Sequence, residues 1–394
     1  SDLSLVNRMQ HWEGRKFMWK IGKSVLALAA VAASATLTAC GGSGENEDSA
    51  KWRTATSVED GGGMDALVAA AQAEGEFNTM GLYDDWANYG EVLQAFSDKY
   101  GIKLNNDVSS GASQDLINAV VNRRGQSDSL DYLDTGMSFA ESAVADGLAA
   151  EYYPEKASDL PDAMKKDGYW YNHLGGNMAI GCDASRVAEC PGSWADLLDP
   201  KYQNQVALTG DPTTGESMFM AVFAAALANG GSLDDIKPGV DFFGKLSAAG
   251  NLVPVAATDG TIETGETPIV INWDYLQAPS RDTLKTKGVD WQIVNPSDGT
   301  VSSYYAAWIN EDAPHPAVAR LFMEFLFSDE GQNLLMKGYV KPGRLAAMVD
   351  QGTADQEILS RLPESSLEDA PQPTLEQRES QHKVLMDTWA ATVK

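Results

Sequence analysis

From Met64 onward the chain alternates short apolar runs with amphipathic stretches, and this alternation limits the available folds more than any other feature. Met64–Gly75 has helical spacing and a glycine stop, and Glu76–Tyr83 follows as a strand with Phe77, Met80 and Leu82 as its apolar set. The spacing then predicts a helix over Asn88–Tyr100, a strand over Ile102–Val108, a helix over Ser113–Arg124, a short strand over Leu130–Leu133 and a helix over Phe139–Ala145. Strands interleaved with helices of this length argue for an α/β fold with a largely parallel sheet covered on both faces. Ligands of such sheets sit at the carboxyl ends of the strands.

Past Tyr152 the pattern resumes. A short helix is predicted at Trp194–Leu198, strands at Gln205–Thr209, Leu252–Ala256, Pro268–Trp273 and Trp291–Asn295, and longer helices at Glu216–Asn229 and Leu233–Ala249. The run MFMAVFAAALA inside Glu216–Asn229 is apolar on every face, so it must be buried. A second α/β lobe therefore occupies Cys182–Pro296. Two extended segments join the lobes, Asn177–Cys182 going out and Thr300–Asn310 coming back, which gives two crossover strands forming a hinge. Helices over Pro314–Phe327, Gly331–Met336 and Leu375–Val393 close the chain. The expected division is residues 64–178 with 304–394 for the first lobe and 179–303 for the second, in keeping with a chain too long for one core.

Ahead of this body lies Met18–Cys40. Lys20 and Lys23 form a cationic start, Ser24–Ala35 an apolar middle, and small residues precede Cys40. A stable span needs roughly 20 continuous apolar residues, so this is expected to be a cleaved signal rather than an anchor helix. Leu37-Thr38-Ala39-Cys40 resembles the lipobox of bacterial lipoproteins, which implies a diacylated thiol on Cys40 and cleavage before it; the alternative is an ordinary secretory signal that contains a cysteine. Two or more acyl chains hold a protein to a membrane where one does not. Ser1–Phe17 stand ahead of Met18, the expected initiator, so residues 1–39 form the signal and its upstream residues. Gly41–Gly63 is rich in Gly, Ser, Glu and Asp, and residues 40–63 are expected to form a flexible lipidated linker.

The chain carries a net charge of −27, and loss of the signal's +3 leaves the mature body near −30. Nucleic-acid binding needs clustered Lys and Arg and is excluded on this ground. Attachment to anionic lipid would then depend on the lipid at Cys40 and not on a basic patch. Of the cysteines after Cys40, Cys182 and Cys190 flank a short loop, and outside the cell they are expected to form a disulfide clip; two buried thiols are the alternative. A metal site lacks the histidine or second cysteine pair it would need there.

Several stretches together resemble the solute-binding proteins of ABC importers, in the type II cluster that includes ferric, polyamine, thiamine and phosphonate binders. They are Asp85–Gly90, Trp194–Pro200, Thr209–Pro212, Gly265–Pro268 and Phe325–Gln332, in the family's order across almost the whole mature chain. The resemblance implies a two-lobed type II periplasmic-binding-protein-like fold, closure on a small-molecule ligand, and delivery to a membrane permease driven by an ATPase. It implies no cofactor and no catalysis, and the chain is expected to act as a monomer on the outer face of the cytoplasmic membrane.

The first candidate site is the loop Asp84, Asp85 and Trp86 with Tyr89, where carboxylates and aromatic faces suit an amine through charge pairing and cation–π contact. One aspartate could instead cap the following helix. Ser110 and Ser113, at the start of the next helix, could hold an anion or simply cap it. Asp211 and Thr213, before the apolar helix, have the same two readings. Ile271–Tyr275 is the most informative segment. Ferric-binding relatives place adjacent tyrosines after a comparable strand, whereas here Trp273, Asp274 and Tyr275 stand, and one phenolate cannot replace the pair as a hard donor set. An aromatic box with an acid is closer to polyamine-binding clefts. Tyr304 and Tyr305 are adjacent on the return crossover, so at most one of them, taken as Tyr304, faces the cleft.

HExxH, GxSxG and a complete phosphate-binding loop are all missing from the sequence, and His173 and His315 have no acid or cysteine at a telling spacing. The favoured ligand is a polyamine-like organic cation. An aminophosphonate or sugar phosphate, thiamine and ferric ion are the alternatives within the class, and a lipid-anchored extracellular hydrolase or a structural surface protein the alternatives outside it.

Overall fold

The computed structural model describes residues 47–166, 168–363 and 370–394. The signal, its lipobox and Cys40 lie outside the described residues.

The first lobe begins with α1 (Glu47–Thr54), α2 (Met64–Glu74), β1 (Glu76–Met80), α3 (Tyr89–Tyr100), β2 (Lys103–Asp107), α4 (Ser113–Asn122), β3 (Tyr132–Gly136) and α5 (Met137–Ala145). After β4 (Lys165–Lys166) comes β5 (Trp170–Asp183), the long outgoing crossover. The second lobe holds β6 (Val206–Leu208), α6 (Glu216–Ala228), α7 (Lys237–Ala248), α8 (Asp259–Thr264), β7 (Ile269–Trp273), α9 (Asp274–Lys285) and β8 (Trp291–Val294). The chain returns along β9 (Ser302–Ile309) and continues through α10 (Pro316–Phe327), α11 (Asp329–Met336), β10 (Lys341–Pro342), α12 (Leu345–Gln351), α13 (Gln356–Leu359) and α14 (Leu375–Thr392).

The two crossovers hold the architecture together. In the main sheet the order is β3-β9-β5-β7-β6, with β4, β8 and β10 also paired to β5. The first part of β5, Tyr171–Asn177, pairs with β9, and its last part, Met178–Asp183, pairs with β7 and β8. One strand thus serves both lobes, and β9 runs back beside it. The sheet is not largely parallel, as the alternation suggests: β1–β2 and β6–β7 pair in parallel, while β3–β9, β9–β5 and β5–β7 are antiparallel. A chain that goes out on one crossover and back on its neighbour must run antiparallel there, which a helix-for-helix reading of the sequence does not capture. Leu252–Ala256 is not a strand but a segment beside β6, with a single bridge from Val206 to Leu252.

Two glycines let the crossovers approach. A Cβ at Gly175 would meet Ser303 O at 2.3 Å and the Tyr304 ring at 2.6 Å, and one at Gly176 would meet Asp274 Oδ1 at 2.2 Å and Tyr275 at 2.5 Å. Gly175 therefore sets the spacing of the two crossovers, and Gly176 sets how close the second lobe's aromatic segment lies to them. Beneath the first lobe, Phe77, Phe96, Tyr132 and Phe322 pack at centroid distances of 4.6–6.2 Å. Each buried aromatic of this kind contributes about 1.5–3 kcal/mol. In the second lobe α6 is buried from Met218 to Ala226, as its uniformly apolar sequence requires.

The tether ends earlier than composition indicates. Glu47–Thr54 is helical, with acidic residues in its first turn and basic ones in its last, as the helix dipole favours. Trp52 is 1% exposed and covers Gly61, and Arg320 of α10 donates to Ala55 O and Arg53 O at 2.8 Å. One tryptophan and a distant arginine fold in a stretch whose polar composition suggests solvation.

At the other end, residues 370–372 bond along β9, with Ser302 N–H donating to Pro371 O and Tyr304 N–H to Gln372 Oε1. Thr374 and Gln377 then cap α14 reciprocally. The helix lies against α7: Trp389 meets Phe243 at 5.5 Å, and Gln381 accepts from Ile236 N–H and donates to Asp234 O.

Candidate functional site

A cavity of about 130 Å³ lies where the crossovers meet both lobes. Ser113 of α4 and Phe139 of α5 border it from one side, Glu216 and Met220 of α6 from the other. Trp273 and Tyr275, at the junction of β7 and α9, and Tyr304 and Tyr305 of β9 supply its aromatic wall, and Arg378 of α14 completes the border.

The aromatic wall is built by local backbone geometry. Trp273 ends β7 and Tyr275 lies in the first turn of α9, which places their rings in a stack at 6.0 Å and 17°. Trp86 meets the edges of Tyr275 at 5.9 Å and Tyr305 at 5.4 Å, tying the loop before α3 to both crossover and second lobe. That loop turns through left-handed backbone at Ala87 and Asn88, with Asn88 Nδ2 donating to Leu334 O at 2.9 Å.

The electrostatics are mixed. Burial pushes the Tyr305 phenol up to about 12, with Asp134 and Glu216 adding to the shift, and Tyr275 is raised well above its ordinary value by burial, then by Tyr305, Asp274 and Glu216. Both rings are therefore neutral at physiological pH and offer O–H donors as well as π faces. Glu216 provides a carboxylate and pairs with Arg378 Nη1.

The expected residues divide sharply. Trp273, Tyr275, Ser113 and Tyr304 border the cavity, and Trp86 buttresses its rings. Asp274 does not border it. Its carboxylate is fully buried and accepts from Asn177 N–H at 3.1 Å and Tyr275 N–H at 2.7 Å, so it fixes the second lobe's aromatic segment onto the outgoing crossover. Tyr89 is also buried behind the wall, where its hydroxyl meets Asp134 Oδ2 at 2.9 Å and His173 Nε2 at 2.8 Å, while His173 Nδ1 lies 3.2 Å from Tyr305 O. Asp84 and Asp85 are exposed on the loop surface, away from the cavity border. Ser110 Oγ donates to Asp115 Oδ2 and accepts from Ala112 N–H, and Asp211 Oδ1 accepts from the amide and hydroxyl of Thr213; both are local turns. Ser113 Oγ accepts from Gly136 N–H at 3.1 Å, bridging two bordering elements.

Of the adjacent tyrosines it is Tyr305, not Tyr304, that joins the ring cluster around Trp86; Tyr304 packs over Gly175. Both border the cavity, so the expectation that at most one of them faces the cleft does not hold, and strand alternation does not say which one meets Trp86. Sequence spacing does not mark Glu216, Phe139 or Arg378, and it points to Tyr304 rather than Tyr305 in the tyrosine pair. A lone glutamate opening an otherwise apolar helix was a signal for Glu216, whereas nothing local marks Arg378. Cys182 and Cys190 are joined in a disulfide with Cα atoms 5.9 Å apart.

Comparison with known proteins follows the same lines. A periplasmic protein of Salmonella typhimurium named for 2-aminoethylphosphonate binding is 25% identical over 209 residues, 51% of this chain and 58% of its own length, so the chain spans little more than half of that curated relative. The spermidine/putrescine ABC transporter substrate-binding protein PotD of Streptococcus pneumoniae superposes with a TM-score of 0.64 at 14% identity, covering 81% of this chain and 99% of its own. Iron-bound HitA of Pseudomonas aeruginosa superposes with a TM-score of 0.59 at 20% identity, covering 80% and 99%. At such identities the structural likeness is one of fold: two lobes around a hinge. The family model for the bacterial extracellular solute-binding proteins matches residues 133–364, more than half of the chain and both crossovers. By that match this chain belongs to the bacterial extracellular solute-binding proteins, a family of binding proteins and not of enzymes.

Proposed function

We propose that this protein captures a small polar solute carrying a protonated amine and delivers it to an ABC permease and its ATPase. The observation that carries the reading is the cavity at the hinge, where the stacked Trp273–Tyr275 pair and Tyr305 stand beside the Glu216 carboxylate. Aromatic faces and one carboxylate attract an ammonium by about 0.5–2 kcal/mol per ring contact, more as water is excluded. The rings come from the second lobe and from a crossover, so a ligand touching both stabilises the closed arrangement, the only way a ligand can drive closure. In this reading residues 64–178 with 304–363 form one moving body, and residues 179–303, with the terminal helix α14 docked on α7, form the other.

A polyamine-like cation is the simplest ligand for an aromatic and acidic wall. An aminophosphonate is the second reading, favoured by the name of the Salmonella relatives. On the membrane side, the protein works as a monomer held by lipid on Cys40, close enough to its permease for a raised effective concentration.

Isothermal titration and thermal melts with putrescine, spermidine and 2-aminoethylphosphonate test the reading. Binding of one of them with a concentration-dependent rise in Tm supports it. No heat and no shift from any amine, or turnover of a chromogenic ester or glycoside, defeats it.

A further inference from the structure

Three arginines of the described structure are almost fully buried, and two have every nitrogen engaged. Arg320 donates from Nε, Nη1 and Nη2 to the carbonyls of Ala55, Pro316 and Arg53. Arg344 donates from Nε and Nη2 to Asp159 and from Nη1 to Phe327 O and Asp329. Arg378 differs. It is 7% exposed, its Nε has a long contact of 3.4 Å to Pro373 O, its Nη1 pairs with Glu216, and its Nη2 is buried without a hydrogen-bond partner.

The placement of Arg378 gives that nitrogen a purpose. Arg378 borders the hinge cavity and also an adjoining groove of about 520 Å³ that Pro212, Phe219 and Leu375 help to line. Its helix is fixed on the second lobe by Gln377 and Gln381, which bond to Asp234 and Ile236, and by the edge contact of His382 with Phe219 at 5.2 Å. The guanidinium is thus presented rigidly. An unpaired buried N–H costs about 1–3 kcal/mol, and an incoming oxyanion that accepts from it removes this cost and adds a charge-assisted bond. Around the same cavity stand the Ser113 hydroxyl and the neutral phenols of Tyr275 and Tyr305, all able to donate to an oxyanion, while Glu216 and the ring faces suit an ammonium.

We propose that Arg378 of the terminal helix is the anion-recognising residue of the cleft, and that the ligand is a small zwitterion with an amine at one end and an oxyanion, phosphonate or carboxylate, at the other. The amine end rests on the function proposed above; the anion end rests on Arg378. A diamine would set a second cation against the guanidinium, which a zwitterion avoids.

Calorimetric titration of the wild type, Arg378→Gln and Arg378→Lys with four probes tests this: 2-aminoethylphosphonate, β-alanine, 1,3-diaminopropane and methylphosphonate. A zwitterion should bind the wild type at least about tenfold more tightly than the diamine, with the preferred oxyanion identifying phosphonate or carboxylate. Arg378→Gln should weaken the zwitterion roughly tenfold to a hundredfold while the diamine binds no more weakly, and more tightly as the opposing cation is removed; Arg378→Lys, which keeps charge but loses the fork, should fall between. Equal zwitterion affinity in wild type and Arg378→Gln, or a wild type that prefers the diamine, overturns the assignment while the amine reading stands. Methylphosphonate binding as tightly as 2-aminoethylphosphonate, with the same loss in Arg378→Gln, supports Arg378 and overturns the amine reading. Absence of binding by all four probes overturns both. If Arg378→Gln does not fold, the wild-type ranking and Arg378→Lys decide.

Discussion

The base of α10 and the mouth of the hinge cavity each bury an arginine, and the two are built to opposite ends. Around Arg320, carbonyls from α1, α10 and the segment after α1 engage every guanidinium nitrogen, and burial pulls its pKa down to about 10. Nothing remains for a ligand, so its role is to seal the N-terminal helix against the first lobe. Around Arg378 the partner is a glutamate whose side chain is 58% exposed, and one nitrogen has no partner. The first site satisfies its charge within the fold; the second holds charge in readiness beside a cavity. Full satisfaction marks structure, and incomplete satisfaction next to open space marks a place where something else completes the set.

Mutation should separate the two regions. Arg320→Ala leaves several buried carbonyls unpaired and is expected to cost about 4 kcal/mol in denaturant melts, whereas Arg378→Gln, losing a pair with an exposed partner, should cost less than about 1 kcal/mol. Similar losses would break the comparison.

A second effect belongs to the α10 side alone. Burial pushes the Glu324 carboxyl up from 4.5 to about 7, although it accepts from Tyr152 Oη at 2.7 Å and Glu155 N–H at 3.1 Å. The native state then holds a proton that the unfolded chain has lost, so this stability is fully present below pH 4.5 and disappears as pH rises through about 7. Glu324→Gln should remove that decline and gain about 3 kcal/mol on the wild type between pH 4 and 8 in urea melts. A parallel pair of pH profiles would show that Glu324 is not the source.

The smallest expected effect lies on the cavity side. Tyr275→Leu keeps bulk but removes a π face and a donor, and should weaken amine binding about tenfold by titration with little change in Tm. A loss of Tm as large as that of Arg320→Ala would place Tyr275 with the structural residues instead.

How much of this was legible in the sequence varies by residue. Helices α3, α6, α10 and α14 and the two crossovers follow from periodicity and glycine stops, because the pattern records which face is buried. Trp273 and Tyr275 were legible as well, since aromatic residues at a strand end before a helix sit where α/β folds bind ligands. Asp274 was visible as an acid but not as a clamp, because its partners are an adjacent amide and the amide of Asn177, 97 residues away. The helix at Glu47–Thr54 was hidden by its polar composition, and its stability rests on Arg320, more than 260 positions along the chain.

The sequence by itself determined the class of fold, the two crossings between lobes and the aromatic character of the cleft, all of which depend on local pattern and hydrophobic spacing. Only the tertiary structure decided which of Tyr304 and Tyr305 meets Trp86, that Asp274 serves the hinge, and that Arg378 of the last helix pairs with Glu216 across 162 positions to reach the cavity. Burial preferences are written residue by residue, whereas the partner of a buried charge is fixed by how distant elements dock.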